Sequence, residues 1–529
     1  MPWISLIVLV PLAGALLIGV LPQSDRAAAR ITGLVTAGAT LVLSLIALGL
    51  FDRDLGGLQL VDHLDWVSSI GLAWDVGVDG ISIWLVLLTT VLFALGVAYT
   101  AMRMPERGPA YMALLLLAEC GLLGLFAAGD LVLFYVFWEA MLVPFAFLIW
   151  VWGGERRRRA GLTFVIYTMV GSLIMLVAIL ATAFIAQDIT GQFTFNIGEL
   201  RGVTFSETQS TLLFLGFALA FAIKLPLWPL HAWLPLAYAE APITVTALLA
   251  AVMSKAGAYG FLRIGLPLFP EGANNLAILI AGLAVAGIVY GSLLAWRAPT
   301  MRLLVAYSSL AHLGFILLGI MIFDQIGAQG AVLQMVNHGI VVAAAFIIVG
   351  VIARGTGTED IDRIGGLAAR APWLAGIFLV VAMASLAVPG SNAFVGEFFI
   401  LTGVFRHEAW LAVLACIGIV YAAVYMLRLY QSSMNGPQAG LAEGRRAELR
   451  GPDVAVLVPL VAIMLFIALW PASIVGATER SVARAIAPAQ VAAGRPAGEI
   501  LGPVRQNPPR DNLPLPGDET TATGTQGTP

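Results

Sequence analysis

The chain has 529 residues, of which 60% are hydrophobic and only 11% are charged. Soluble proteins carry about 25% charged residues, so the composition excludes an ordinary cytosolic protein of three or four domains. The net charge of −3 provides no basic surface, and we expect no nucleic-acid partner.

Apolar runs of about twenty residues recur along the chain, and each is long enough to cross the hydrocarbon core of a bilayer. Their frequency raises the mean hydropathy to +0.93. We predict one all-α, polytopic membrane domain over residues 1–487, with about fourteen spans: 4–21, 31–50, 79–101, 110–127, 130–150, 162–185, 211–236, 243–265, 274–296, 302–322, 331–353, 373–404, 409–430 and 454–473.

The ends of the chain carry two further signals. No basic segment precedes the first apolar run, which predicts a retained span rather than a cleaved signal peptide. Residues 488–529 are rich in Pro, Gly, Thr and Ala, a composition that buries too little apolar surface to fold. We predict a disordered tail there, on the outer side of the membrane.

The distribution of arginines predicts the orientation of the spans. Alternate loops lie on opposite sides of the membrane, and one set contains seventeen arginines against nine for the other set and the tail. Cytoplasmic loops are enriched in Arg and Lys, so the first set is predicted to be cytoplasmic. The N-terminus is then on the outer side.

Cysteine usage and the absence of nucleotide motifs limit the chemistry of this chain. Cys120 and Cys416 each stand alone in an apolar run, which predicts buried structural thiols and no disulfide, metal or iron–sulfur site. No Gly-rich dinucleotide or phosphate-binding loop occurs. A flavin or nucleotide would therefore have to bind another chain.

The two lysines occupy unusual positions. All 26 arginines lie in loops, in the tail or near span ends, whereas Lys224 and Lys255 lie about twelve residues inside their spans. That depth is too great for a lysine side chain to reach the membrane surface. Lysine, unlike arginine, loses its proton when it is desolvated. We therefore predict that both lysines bind and release protons.

Carboxylates and imidazoles accompany these lysines. Glu139 and Glu397 are central in their spans, Glu119 lies in a neighbouring span, and His312 and His338 follow. Inserting a charged side chain at the bilayer centre costs about 2.5–3.5 kcal/mol of free energy. We therefore expect these groups either to form ion pairs or to serve a function. A proton path is one interpretation, and a structural lattice of ion pairs is the other. Each histidine, taken alone, is equally compatible with a structural role.

Two spans are interrupted by proline and glycine near these groups. Pro226, Pro229 and Pro235 lie near Lys224, and Pro389, Gly390 and Gly396 lie near Glu397, which predicts two broken helices. An offset of 173 residues relates Lys224 to Glu397 and also Glu139 to His312. Because this offset covers five spans, it predicts two inverted five-helix repeats, about 110–265 and 274–431.

Five segments resemble the antiporter-like proton-channel subunits of respiratory complex I. They are DLVLFYVFWEAMLVPF, KLPLWPLHAWLPLAYAEAP, MSKAGAYGFLRI, YSSLAHLGF and VPGSNAFVGEFFIL, and the likeness extends over residues 75–435. Glu397 in its VGEFF context is similar to the M-type member, since the L- and N-type members typically carry Lys there. The family usually has a second glycine in the turn before this residue, where the present chain has Ala393.

The resemblance implies roles for six residues. Glu139 and Lys224 are an interacting pair, Lys255, His312 and His338 form a central relay, and Glu397 is the terminal proton site. Glu119 is outside this core set.

The resemblance also implies the setting of the chain, a subunit of an NADH:quinone oxidoreductase in the bacterial plasma membrane. Neighbouring L-like and N-like subunits, other membrane-arm subunits and the lipid bilayer are the expected partners. FMN, iron–sulfur clusters and quinone are expected on other subunits, with no cofactor or metal on this chain.

Two other functions stay open at this point. A subunit of a multisubunit cation/proton antiporter has the same architecture but no redox partner, and Glu397 in place of Lys disfavours it. A solute transporter with the same inverted repeat is the third hypothesis, disfavoured because the broken helices carry titratable groups rather than a recognition pocket. Sodium in place of protons also stays open.

Overall fold

The computed structural model describes residues 1–67, 71–437 and 448–496, most of which are helical. The first helices are α1 (Trp3–Val20), α2 (Arg26–Leu50), α3 (Ser82–Met102), α4 (Gly108–Ala127), α5 (Leu131–Ala140), α6 (Leu142–Trp152) and α7 (Arg157–Thr190). The next are α8 (Ile197–Leu200), α9 (Glu207–Lys224), α10 (Trp233–Glu240), α11 (Ile243–Leu248), α12 (Lys255–Gly260), α13 (Leu266–Leu268) and α14 (Pro270–Arg297). The last are α15 (Met301–Met321), α16 (Gln325–Thr356), α17 (Pro372–Ser385), α18 (Asn392–His407), α19 (Ala409–Met434), α20 (Gly451–Leu469) and α21 (Ala472–Ala492).

Twelve helical stretches of the described chain are long and apolar enough to cross a membrane, which confirms a multi-pass membrane protein. Two of these stretches join shorter elements, α5 with α6 and α11 through α13. The other two predicted spans, 211–236 and 373–404, are each divided into two shorter helices. The total of fourteen spans, the inverted repeats and the domain boundaries remain predictions.

Both predicted helix breaks are present. Helix α9 ends at Lys224, two residues before Pro226, because proline lacks an N–H and disfavours the helical conformation of the residue before it. The indole N–H of Trp233 donates to the carbonyl of Ile223 at 2.8 Å and so satisfies an acceptor near the break. Helix α17 ends at Ser385, and Gly390 follows with φ of +93°, a conformation that disfavours any other residue.

The span that carries Lys255 contains two π-helical turns that the sequence did not predict. They are Leu249–Met253 and Phe261–Gly265, and they enclose α12 on both sides. A π-helical turn adds one residue and shifts the phase of the helix, but this span is buried on all sides and has no polar face whose phase would report the shift. Such turns occur frequently at functional sites.

A β-hairpin lies between α2 and α3, in a stretch for which no span was predicted. Strand β1 (Gln59–Val67) pairs antiparallel with β2 (Leu72–Val78). The hairpin is tied to α1, since the Ser5 backbone N–H donates to Asp62 at 2.8 Å and the Trp74 indole donates to the Ser5 hydroxyl at 2.9 Å. The first span is thus held to the rest of the molecule by polar contacts as well as by packing.

Helix α21 was also not predicted. It contacts α13, α14 and α16. The Ser481 hydroxyl accepts from the Gly80 N–H at 2.8 Å, and the Gln490 side chain donates to the Phe323 carbonyl at 2.9 Å. The first bond joins α21 to the connection between β2 and α3, and the second joins it to the connection between α15 and α16.

Two expectations concern smaller parts of the chain. Cys120 is buried as predicted, but Cys416 is exposed, so its predicted burial is wrong. An apolar run does not distinguish the core side of a membrane helix from its outer side, where Val413 and Val420 are also exposed. Helix α21 reaches Ala492 and so overlaps the predicted disordered tail, whose residues 497–529 lie outside the described residues.

Candidate functional site

Lys255 and His338 form a direct contact in the centre of the molecule. The Lys255 side chain is fully buried, and its Nζ lies 2.7 Å from Nδ1 of His338. Nζ also donates to the carbonyl of Ala250 at 2.6 Å and lies 3.4 Å from the Ser254 hydroxyl. A buried ammonium thus has three polar neighbours, the number of its N–H donors.

The π-helical turn explains why the Ala250 carbonyl accepts these bonds. The Ser254 N–H donates to Leu249, five residues back, at 3.2 Å, rather than to Ala250, four residues back. The Ala250 carbonyl accepts instead from the Ser254 hydroxyl at 2.8 Å and from Lys255. The local backbone irregularity therefore creates an acceptor for the lysine in an otherwise apolar span.

Glu397 has two hydrogen-bond partners. Its Oε1 lies 2.9 Å from Nδ1 of His312 and accepts from Nε2 of Gln334 at 3.0 Å. Helix α18 approaches α16 closely enough for these contacts because glycines line both sides: a Cβ on Gly330 would lie 2.7 Å from the Gly396 carbonyl. Small residues at this crossing thus set the position of the carboxylate.

A small cavity separates the two histidine contacts. The rings of His312 and His338 have centroids 5.5 Å apart, and both line a cavity of about 20 Å³ together with Gln334, Ser308 and Ser385. A cavity above about 10–15 Å³ with several polar neighbours has room for one water molecule. Lys255, His338, His312 and Glu397 therefore form one row, and the cavity that both imidazole rings line has space for a water molecule.

Lys224 lies apart from this row and has a different environment. It is 1% exposed, its Nζ lies 4.9 Å from the centre of the Trp138 ring, and Nζ has no hydrogen-bond partner among the described residues. The Oε1 atom of Glu139 is buried and also without a partner. Within the described residues no ion pair of 4 Å or less joins Glu139 to Lys224, and their predicted interaction remains a prediction.

Sequence reasoning missed three parts of the site. The sequence does contain an indication for Gln334. It is a polar residue in an apolar span, and because it precedes His338 by four residues it lies on the same helix face. No sequence pattern indicates the position of the Trp138 ring beneath Lys224 or the π-helical turn before Lys255, because both depend on tertiary packing.

Asn392 anchors the second broken helix. The Asn337 side chain donates to the Asn392 carbonyl at 2.7 Å, and the Asn392 side-chain amide donates to the Asn337 side chain at 3.1 Å.

Comparison with known proteins identifies the family. A sequence model described as "NADH:quinone oxidoreductase/Mrp antiporter, TM" matches residues 128–422. NADH-quinone oxidoreductase subunit M of Rhodobacter capsulatus is 38% identical over 495 residues, which are 91% of this chain and 96% of that protein. The chain belongs to the NADH:quinone oxidoreductase/Mrp antiporter membrane family. The resemblance found in the sequence is therefore confirmed.

Solved structures of this family have the same fold. A chain in the structure of respiratory complex I from Thermus thermophilus with bound NADH matches with a TM-score of 0.82 and 34% identity, covering 91% of this chain and 99% of that one. A chain of the Mrp complex from Dietzia sp. DQ12-45-1b matches with a TM-score of 0.80 at 22% identity, covering 95% and 100%. At that identity the second match is a likeness of fold alone.

Proposed function

We propose that the chain is the M-type proton-translocating membrane subunit of an NADH:quinone oxidoreductase. Its full-length similarity to subunit M relatives supports the assignment. The observation that carries the mechanism is the row of Lys255, His338, His312 and Glu397, in which titratable groups are in hydrogen-bond contact or separated by a water-sized cavity.

In this mechanism a proton moves along the row from lysine to glutamate. Lys255 passes a proton to Nδ1 of His338, water in the cavity carries it to His312, and His312 passes it to Glu397. The direct contacts of 2.7 and 2.9 Å lie within the distance that proton transfer requires. Gln334 holds Glu397 in place without itself exchanging a proton.

Glu139 controls the loading of Lys224. A buried ammonium without hydrogen bonds is stabilised only by the Trp138 ring and by an approaching negative charge. Coulomb's law gives about 4 kcal/mol for opposite charges about 4 Å apart at an effective dielectric near 20. Approach and withdrawal of the Glu139 carboxylate therefore raise and lower the affinity of Lys224 for a proton.

The redox chemistry belongs to other subunits of the complex. FMN, iron–sulfur clusters and quinone would bind there, and this chain would couple to them through its neighbours in the membrane arm, with L-like and N-like subunits beside it. Glu139 lies on a side of α5 and α6 where Val136 is 45% and Val143 is 50% exposed, which suits a subunit interface. We propose that the N-terminus lies on the outer side of the bacterial plasma membrane, and the seventeen arginines in alternate loops support this orientation.

A cation/proton antiporter subunit is the alternative, and the matching fold of the Mrp complex supports it. Glu397 opposes it, as a carboxylate stands where the L-type, N-type and antiporter members resembled by this chain typically have lysine.

The deciding experiment uses the purified, intact complex in lipid vesicles. We expect NADH-dependent quinone reduction to build a pH gradient equally in sodium-free and sodium-containing buffer. Lys255→Gln should abolish the gradient, because the amide does not titrate. A pH gradient that forms from a sodium gradient without NADH would support the antiporter function instead.

A further inference from the structure

Glu119 is a buried carboxylic acid that the proposed pathway does not use. It lies in the middle of α4, is 0% exposed, and neither of its oxygens has a hydrogen-bond partner within residues 1–67, 71–437 and 448–496. A buried polar group without partners destabilises a fold by about 1–3 kcal/mol. A purely structural role therefore does not account for this residue.

The register of two helices places Glu119 beside the span that carries Lys255. Near one end, the side chain of Tyr111 meets that of Thr244. Near the other end, the Tyr259 hydroxyl donates to the Phe126 carbonyl at 3.0 Å. Tyr111 and Phe126 are fifteen residues apart, as are Thr244 and Tyr259, so the two helices run parallel and in step.

This register brings Glu119 level with the ammonium group of Lys255. Glu119 follows Tyr111 by eight residues and is therefore level with Val252, eight residues after Thr244. The Lys255 side chain extends back along its helix to the Ala250 carbonyl, at 2.6 Å. Side chains on helices lean toward the N-terminus, so the Glu119 carboxyl extends toward the same level.

The face of α4 on which Glu119 lies is the one turned toward that span. Glu119 precedes Phe126 by seven residues, a spacing that repeats the same helix face. The Phe126 ring meets the Tyr259 ring edge-on with centroids 5.4 Å apart. The opposite direction is excluded, because Gly121 and Gly124 face α5 and the residue that follows it: an added Cβ would lie 2.7 Å from Met141 at Gly121 and 2.4 Å from Phe137 at Gly124.

We propose that Glu119 is a proton-binding site that loads Lys255 from the predicted cytoplasmic side. This inference rests on the proposed function and extends it. The protonated carboxylic acid gives its proton, through one intervening water, to the neutral amine of Lys255, leaving a carboxylate and an ammonium. The ammonium then passes a proton to His338, and the Glu119 carboxylate takes up a new proton from the side where α4 begins.

The test compares four variants in the intact complex in vesicles: Glu119→Gln, Glu119→Asp, Lys255→Gln and the control Glu155→Gln. Glutamine matches the protonated acid in shape and polarity but does not release a proton, whereas aspartate retains titration. We expect Glu119→Gln to slow NADH-driven proton translocation by about ten-fold or more, with partial recovery in Glu119→Asp. Glu155 is exposed in the loop before α7, and its variant should translocate protons normally.

Each outcome separates this inference from the proposed function. Normal translocation by Glu119→Gln together with failure of Lys255→Gln overturns the loading role and leaves the proposed function intact. Normal translocation by both variants overturns both. Where Glu119→Gln does not assemble, Glu119→Asp decides: an assembled aspartate variant that is as inactive as Lys255→Gln contradicts the inference. A carboxylic-acid carbonyl band that shifts between wild type and Glu119→Asp and changes on adding NADH supports it.

Discussion

The two broken helices hold their titratable groups in opposite ways. At the end of α9, Lys224 has no hydrogen bond and lies against the face of Trp138. In α18, Glu397 accepts from Gln334 and contacts His312. The two broken helices thus differ: within the described residues, the titratable group of one has no hydrogen-bond partner, whereas that of the other has two.

This difference separates control from conduction. A charge without hydrogen bonds depends on distant charges, so its proton affinity responds to the movement of a single carboxylate such as Glu139. A group fixed by short contacts keeps its geometry and transfers protons along it. We infer that Lys224 senses the neighbouring subunit, whereas the row from Lys255 to Glu397 transmits protons.

The largest effect should come from Lys224→Arg. Arginine retains the positive charge but does not release its proton, so position 224 would stay protonated throughout turnover. We expect the complex to assemble and the pH gradient in vesicles to be lost. A normal gradient would mean that Lys224 contributes charge alone, and the contrast between the two broken helices would then have no functional meaning.

Glu397→Gln should also stop proton translocation while the complex still assembles. The glutamine side chain keeps an oxygen that accepts from Gln334, so the packing of α18 on α16 is preserved and only titration is removed. Gradient formation and the amount of assembled complex measure the two effects separately. Loss of the assembled complex would support the structural lattice of ion pairs.

Glu139→Gln should reduce coupling less completely, because it removes a controlling charge and no carrier. With the pair about 6 Å apart, as the family resemblance implies, the lost attraction is about 3 kcal/mol at an effective dielectric near 20. Adding Val143→Glu to Glu139→Ala returns a carboxylate to the same helix face, at a position that is 50% exposed. We expect partial recovery of protons moved per NADH. Full translocation by Glu139→Gln would remove the controlling role.

The smallest effect should come from Gln334→Leu. The substitution removes one hydrogen bond to Glu397 and leaves His312 in contact, at a cost of about 1.5–3 kcal/mol to the ionised state. We expect translocation to slow by roughly ten-fold without loss of assembly. An effect as large as that of Glu397→Gln would show that Gln334 takes part in transfer and does more than position the carboxylate.

The sequence predicted those parts of the site that are unusual in a membrane interior, namely its charged side chains and its helix-breaking residues. Lys224, Lys255 and Glu397 are charged groups in apolar spans, and the prolines and glycines beside two of them predicted the helix breaks. The contacts between these groups were not predictable, because they depend on which helix faces meet. Gly330 and Gly396 decide how closely α16 and α18 approach, and no local pattern reports that distance.

The missed elements share a physical cause. The hairpin of β1 and β2 and helix α21 are amphipathic or polar segments without a long hydrophobic run, so a search for such runs does not detect them. The π-helical turn at Leu249–Met253 leaves the apolar pattern intact while it shifts one hydrogen bond. The burial predicted for Cys416 was wrong because lipid-facing and core-facing sides of a span are equally apolar.

Helix α21 has a mechanical consequence. It contacts the π-helical turn Phe261–Gly265, which lies in the first predicted repeat, and α14 and α16, which lie in the second, so it links parts of both predicted repeats. In a transporter that works by alternating access, the two repeats separate first on one side of the membrane and then on the other. A helix bound to both repeats opposes their separation on the side where it lies. We therefore expect protons to move through changes of side-chain rotamers and through single water molecules, without a large separation of the two predicted repeats.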